Sequence, residues 1–500
     1  MRAELNVKNK FFFRLSDLFF LLLFLIFPIF CLDYTKTTEH KFFFLLASVL
    51  CFVSVFALVW VEFLIVGKRT NPFVDIKAKT VFTSPLIYFI IYCLLCLVSF
   101  LLSDYSTSAL IGDGGFDGLI TQFLYLFIVL SVVLFGDFKK KYAYALAFAV
   151  LFNLVIGLLQ FYGFNPLHLF PEGYDYHDAF ILYANRFLGS FGNVDNLSAF
   201  LSITVPTFAF LSAKSIGKRF VFLIITAFSS AFLLILCETT AGVLASILAL
   251  LIIPFFMKTA KETARLLKAY FFILLAFIIA FTILGSPAVI SVALFFSGLI
   301  LLLSAHLINK FSPEQRKIRL FLLIFELAIL FISVVLFFSI DLMGDLAEIK
   351  SFLSGNMTDE QGSGRIRIWR AAVDIIKDNP IFGTGPDTFI YEIPFKFERL
   401  SDVTGEIITS SIPSAHNVPL NIAANTGLPS LLFYLLFVLS LIFRLIRSRG
   451  EYSGLFVAVI ISYFLQSLFS FHTCGVTTIF MLICGFAVKY TITKNKEVKL

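Results

Sequence analysis

Charge is what this chain has least of: Asp, Glu, Lys and Arg together make up 14% of its 500 residues, against about a quarter in an ordinary soluble protein. So thin a supply of ions cannot solvate the surface of several water-soluble domains. Cysteine is sparse too. The seven cysteines (Cys31, Cys51, Cys93, Cys96, Cys237, Cys474 and Cys484) show no zinc-type spacing, and the Cys93/Cys96 pair falls inside an apolar run, where packing is its natural role. No H-E-x-x-H pattern occurs, and "GTGP" (383–386) lacks the lysine of a phosphate loop. Dedicated metal sites, a disulfide framework and P-loop chemistry are therefore not expected. What the chain does have is apolar surface: 59% hydrophobic residues and 66 phenylalanines point to lipid as its solvent.

Apolar runs long enough to cross a hydrocarbon layer of ~30 Å as helices recur along the whole sequence. They predict an all-α polytopic membrane protein of about fourteen spans (12–14): 15–32, 42–66, 84–102, 119–135, 142–161, 193–213, 220–236, 241–257, 269–284, 288–308, 320–340, 424–443, 455–471 and 476–490. No small-residue cleavage site follows the first run, so 15–32 reads as a retained anchor. Basic residues set the orientation, because cytoplasmic loops carry the Lys and Arg excess. With both termini cytoplasmic, every inner loop holds three or four cations, 29 of the 39 in all. The net charge of +7 then reflects topology, and no nucleic-acid partner is needed to explain it. Lys36, Lys41, Arg186 and seven cations between 341 and 418 fall outside.

Two outer segments, 162–192 and 341–418, are long enough to build a site. The chain thus divides into spans at 1–340, a large extracytoplasmic loop at 341–418 and further spans at 419–500. Inside the large loop, 341–355 reads as a short amphipathic helix and 356–364 as a flexible link. A second helix starts after Ser363 as N-cap and stops before Asn379-Pro380.

On a helical wheel for 365–378, Arg365, Trp369, Ala372 and Ile376 share one face, flanked by Ile366, Ile368, Val373 and Ile375. Arg367 and Arg370 fall on the other face, with Arg370 spaced to meet Asp374, and read as a solvated surface. Arg365 stands apart, being apolar-faced and in the first turn, where the macrodipole disfavours a cation unless an anion accompanies it. Either a bound phosphate resolves both objections, or Arg365 bends back to solvent from a frayed end. His416, at the end of the large loop beside Asn417 and between Pro413 and Pro419, is a candidate proton acceptor; a lone histidine near a helix start is also often structural. His40, His168, His177, His306 and His472 have no evident partner. In "RFLGSFGNVDNLSAF" (186–200), Arg186 is the only cation of its loop, while Asn193 and Asn196 stand where a span begins and one of them is explained as a cap. "GDGGFDG" (112–118) reads as a turn, and Glu62 and Glu326 are intramembrane carboxylates that are costly without a role.

Taken together, "GRIRIWRAAVDIIKDNPIFGTGPDTF" (364–389), "SAHNVPL" (414–420) and "NTGLPSLLFYLL" (425–436) resemble the signature of the O-antigen ligase and polymerase family, with R-x-x-x-W, P-x-x-G-x-G and A-H-N motifs in order. "RFLGSFGNVDNLSAF" resembles that family's upstream segment, whereas "ETTAG" (238–242) stands where many relatives carry Ser-Arg-Gly. The resemblance implies a GT-C-like membrane glycosyltransferase, inverting and metal-independent, in the cytoplasmic membrane of a bacterium with its active site on the outer face. Its donor would be a polyprenyl-diphosphate-linked glycan and its acceptor a glycan, lipid or wall component. It further implies that Arg365 and Arg186 hold the diphosphate, that His416 assists the acceptor hydroxyl, and that Asn193, Asn196, Trp369 and Asn417 line the substrate. The alternatives are a polymerase of lipid-linked repeats or a lipid-linked glycan flippase.

Overall fold

The computed structural model describes residues 2–33, 36–65, 84–162, 164, 189–324, 350–351, 354, 364–400 and 407–497. Helices dominate. Lipid offers no hydrogen-bond partners, so an apolar segment must satisfy its own backbone, and the helix does this within one segment. The long apolar helices are α1 (Arg2–Ile29), α2 (Thr37–Ile65), α3 (Leu86–Leu102), then, after the short α4 (Ser106–Ile111), α5 (Leu119–Phe135), α6 (Lys140–Phe161), α7 (Val194–Ala213), α8 (Gly217–Leu236), α9 (Thr240–Ile252), α10 (Ala260–Ile283) and α11 (Ala288–Phe311). The second part of the chain supplies α12 (Arg365–Asp378), α13 (Phe389–Glu392), α14 (Val418–Thr426), α15 (Leu428–Ser448), α16 (Ser453–Ser467) and α17 (Cys474–Glu497).

Among the described residues nine helices are long and apolar enough to cross a membrane, and four shorter apolar ones accompany them. These coincide with thirteen of the expected spans. The expected span 320–340 falls almost wholly outside the described residues, as do most of 341–363 and the side chains of Glu62 and Glu326. The helical class gains one addition, an antiparallel ribbon of β1 (Phe397–Leu400) and β2 (Ile407–Ser410), with Phe397 opposite Ser410.

Helices α7 and α17 form the centre of the bundle, 94% and 89% buried along their apolar windows, while α11 is only 11% buried. On α11 only Gly298 and Ala305 are buried, and Val289, Phe296, Ile300 and Leu303 face outward, the surface a lipid would cover. Successive helices reverse direction, so alternate connections gather at each end. Basic loops collect at one of them: Lys139 and Lys141 pair with Asp17 at 2.6 and 2.9 Å, and Lys214 with Glu262 at 2.7 Å.

The other end carries the connections 30–36, 103–118, 189–193, 379–417 and 468–473, and is called the site end below. Lys41, expected at an outer boundary, is buried there instead. Its Nζ donates to the Phe27 and Pro28 carbonyls at 2.9 and 3.1 Å and stands over the Phe191 ring at 4.7 Å. A helix leaves its last carbonyls unpaired, and Lys41 fills that need for α1.

A second, smaller core roofs this end. Ile368, Ala372 and Ile375 of α12 pack with Phe389, Ile412, Ala415 and Ala424. Burying each large apolar side chain stabilises by ~1.5–3 kcal/mol, so α12 is fixed to the segment that leads into α14. The expected wheel holds except at Val373, which is 40% exposed and lies beyond the buried stripe.

Candidate active site

The helix carrying Arg365 starts one residue later than its sequence suggested. Ser363 lies outside the described residues, and the N-cap is Gly364. Its φ of +79° is one that L side chains rarely adopt, and a Cβ there would meet the Phe397 ring at 2.5 Å. Among the described residues no side chain caps this helix start. Its first N–H groups, which a helix cannot pair internally, therefore lie beside the half-buried Arg365. Among the described residues no carboxylate pairs with the Arg365 guanidinium.

The neighbouring Arg367 and Arg370 are exposed, on the face where the wheel places them. Arg367 lays its guanidinium over the Phe395 ring at 3.8 Å, a cation–π contact. Asp374 accepts from Lys377 at 2.8 Å.

Trp369 lies one turn beyond Arg365. Its Nε1 donates to the Ala415 carbonyl at 3.0 Å, so α12 is tied to the residue immediately before His416. The Ala415 N–H donates in turn to Asn421 Oδ1 at 3.0 Å. Asn417 caps α14 by accepting from Leu420 N–H at 3.0 Å, while its Nδ2 donates to the Leu468 carbonyl at 2.9 Å. These bonds on either side over-determine His416, whose φ of +48° is costly for a non-glycine residue.

The imidazole is aimed inward, edge-on to the Phe471 ring at 5.2 Å. Its Nδ1 is buried without a hydrogen-bond partner among the described residues. Burial, helped by the positive charge of Arg365, lowers the His416 pKa to about 4. At neutral pH the ring is therefore uncharged, with a lone pair available to take a proton.

The P-x-x-G-x-G turn packs on the far side of α14. Thr384 and Gly385 donate their N–H groups to the carbonyls of Ala424 and Asn425 at 3.2 and 2.8 Å, and Leu428 N–H reaches Pro380 O at 2.9 Å. Asp387, which follows, is buried and takes three N–H groups on one oxygen, from Gly114 (3.1 Å), Gly115 (2.7 Å) and Asp117 (3.2 Å). Burial raises its carboxyl to about 6 against the pull of those N–H groups. The "GDGGFDG" turn is thus docked, and it fits because Gly114 has no Cβ: one there would lie 2.6 Å from the Pro413 carbonyl.

Asn193 accepts from Asp195 and Asn196 N–H at 2.7 and 3.3 Å and is the cap of α7. Asn196 is buried, its Oδ1 accepting from Thr473 at 3.1 Å. Arg186 lies outside the described residues. The segment just after it is held by Gly189 N–H on Gln160 and Ser190 N–H on Asn153, both at 2.9 Å.

The connection 468–473 was not singled out from the sequence, yet it touches four residues of this arrangement. Leu468 receives Asn417, Phe469 stands 6.2 Å from Trp369, Phe471 faces His416 and Thr473 holds Asn196. His472, expected to lack a partner, faces Asp117 with Nδ1 3.7 Å from its carboxylate. The signal that could have flagged the segment is its aromatic–polar alternation, "FSFHT" (469–473), at a span boundary. Asn421 was findable as well, one helical turn after Asn417.

Arg365, Trp369, His416 and Asn417 thus converge, and Asn196 joins them through Thr473. A cation beside an open helix start suits an anionic group, and the neutral imidazole next to it suits a hydroxyl proton. Trp369→Phe should lower activity a few-fold without loss of protein from the membrane, since it removes this partly buried bond, worth ~1 kcal/mol, and keeps an aromatic ring; activity and abundance measured side by side check this.

Compared with known families, residues 274–435 match the model of the O-antigen ligase family, Wzy_C. No curated protein matches the chain.

Proposed function

We propose, from the premise that residues 274–435 of this chain belong to the O-antigen ligase family, that it is a multi-pass membrane glycosyltransferase using a polyprenyl-diphosphate-linked glycan as donor. It would act on the outer face of a bacterial cytoplasmic membrane, with about fourteen spans and both termini inside. The acceptor is a glycan, lipid or wall component. The observation that carries the reading is the pairing of Arg365, at an uncapped helix start, with His416, whose Nδ1 is buried and unpartnered.

In this reading the diphosphate lies against Arg365 and the first N–H groups of α12, and Arg186 is the second cation that the family resemblance assigns to it. The acceptor hydroxyl attacks the anomeric carbon from the side opposite the diphosphate. A new C–O bond forms, the old one breaks, and configuration inverts. The hydroxyl proton passes to His416, and the lipid diphosphate leaves with the bonding pair, its developing charge met by the guanidinium. Arginine supplies the positive charge that this departure needs, which supports a metal-independent reaction. Asn417 spends both amide atoms on the protein, which favours a positioning role for it, whereas Asn196 uses its Oδ1 on Thr473.

The test is the surface-glycan profile of cells lacking the protein, complemented by the wild type or by Arg365→Ala. Full-length chains accumulating on the lipid carrier mark a ligase. A ladder collapsing to one repeat unit marks a polymerase. A profile unchanged by the deletion counts against both.

A further inference from the structure

Beneath the loop that carries His416 lies a polar cluster that the proposed reaction does not use. Asp117 ends the docked turn 112–118, and its Oδ1 accepts from Tyr125 at 2.9 Å. Its other oxygen faces His472 Nδ1 at 3.7 Å, and neither side chain is more than 12% exposed. The His472 ring stacks on Tyr463, with centroids 6.1 Å apart, and meets Tyr434 edge-on at 6.0 Å. Two of the cluster's polar atoms, His472 Nε2 and Tyr434 Oη, are buried without partners among the described residues. A buried ion pair would be costly in such surroundings. Burial instead pushes Asp117 up to about 8, with the nearby Asp387 charge adding to it, and pushes His472 down to about 3. At neutral pH the pair is therefore uncharged and holds one proton, which sits on Asp117.

The backbone around His472 matters more than its titration. Phe471 and Thr473 flank it, one against the His416 ring and the other bonded to Asn196. Gly115, two residues before Asp117, packs against the His472 carbonyl, to which an added Cβ would approach within 3.1 Å. The turn 112–118 thus meets both arms of the site, Pro413 on the His416 side and His472 on the 468–473 side.

We infer that Asp117 and His472 are positioning residues, which seat the 468–473 segment so that Phe471 holds the His416 ring in its inward, unpartnered orientation. Their importance for activity rests on the reading of His416 given above; their effect on its position does not.

That independence sets the experiment. The full-length protein, purified in detergent, is treated with diethyl pyrocarbonate, and carbethoxylation at His416 is followed by peptide mass spectrometry. This reports ring accessibility whatever the protein catalyses. Asp117→Ala and His472→Ala should each speed labelling of His416 about fivefold, the effect of loosening a local opening equilibrium. Asp117→Asn, neutral and of the same shape, should stay within about twofold of the wild type, because it preserves the uncharged contact and accepts from Tyr125 as before. Asp17→Ala, which breaks the ion pairs at the opposite end of the bundle, serves as the control for general destabilisation and should leave His416 unchanged. The inference is overturned if both alanine variants label at the wild-type rate, if Asp17→Ala gives the same acceleration, or if Asp117→Asn is as damaging as Asp117→Ala. Faster labelling with undiminished glycan transfer would uphold the positioning role and count instead against His416 as the base.

Discussion

Replacing Arg365 by alanine should cut glycan transfer by about 10²–10³-fold, the usual cost of removing one preorganised donor from a developing oxyanion, while leaving the protein at wild-type abundance. The two halves of this expectation have separate causes. Arg365 is half-buried at the first position of α12, and no carboxylate pairs with it among the described residues, so its loss strands no buried counter-charge. The helix is held instead by Ile368, Ala372 and Ile375 in the small core and by the Trp369 bond to Ala415. Arg365→Lys should recover little, because an ammonium cannot reproduce the two-pronged geometry of a guanidinium on phosphate. The measurement is initial transfer rate in membrane vesicles, supplied with lipid-linked glycan from the deletion strain and normalised to immunoblotted protein. A rate within a few-fold of wild type for Arg365→Ala would remove it from the site.

His416→Ala should be comparably severe, about 10²–10⁴-fold for loss of a positioned general base, and the pH profile should carry a signature that identifies the group. In the empty protein, burial and the Arg365 charge lower this histidine to about 4. A lowered value means that folding favours the neutral ring. Its contribution to stability is complete above the ordinary histidine value of about 6.5 and is lost as pH falls through about 4. For catalysis, kcat/KM reports the free protein, so its acid limb should fall near that low value. kcat reports the donor complex, in which the diphosphate offsets the Arg365 charge, and its acid limb should move upward, toward 6.5. Two coincident limbs near 6.5 would mean that the titrating histidine is solvated, not the ring held against Phe471.

Much of this architecture could be read before any coordinates. Runs of Leu, Ile and Phe placed the helices because a bilayer permits few other solutions, and the wheel of 365–378 separated the buried Trp369 face from Arg367 and Arg370 correctly. The chain stop at Asn379-Pro380 also fell where expected, since the residue before proline disfavours the helix. What escaped were contacts between segments far apart in the chain. Nothing local marks Asp387 as the partner of three N–H groups some 270 residues earlier, or His472 as the partner of Asp117. Glycines read as a turn because they are turn formers; that Gly114 also lets a neighbouring backbone approach is a fact of tertiary packing. The burial of Lys41 was not legible for a related reason: a cation near a span end usually reaches water, but Pro28 and Phe27 offer it two carbonyls inside. The Ser363 cap failed because Gly364 can take the left-handed conformation that begins α12.

The closing contact between Thr473 and Asn196 joins residues 277 positions apart, and this fixes an order of events during synthesis. A growing chain that has already delivered Arg365, Trp369 and His416 still lacks the 468–473 segment. It therefore has no Phe471 against the imidazole and no Leu468 carbonyl for Asn417. The last hairpin, α16 and α17, must insert before these parts lock together. A chain cut before α16 would therefore keep Arg365 and His416 but lose the contacts that hold the imidazole and the Asn417 amide in place.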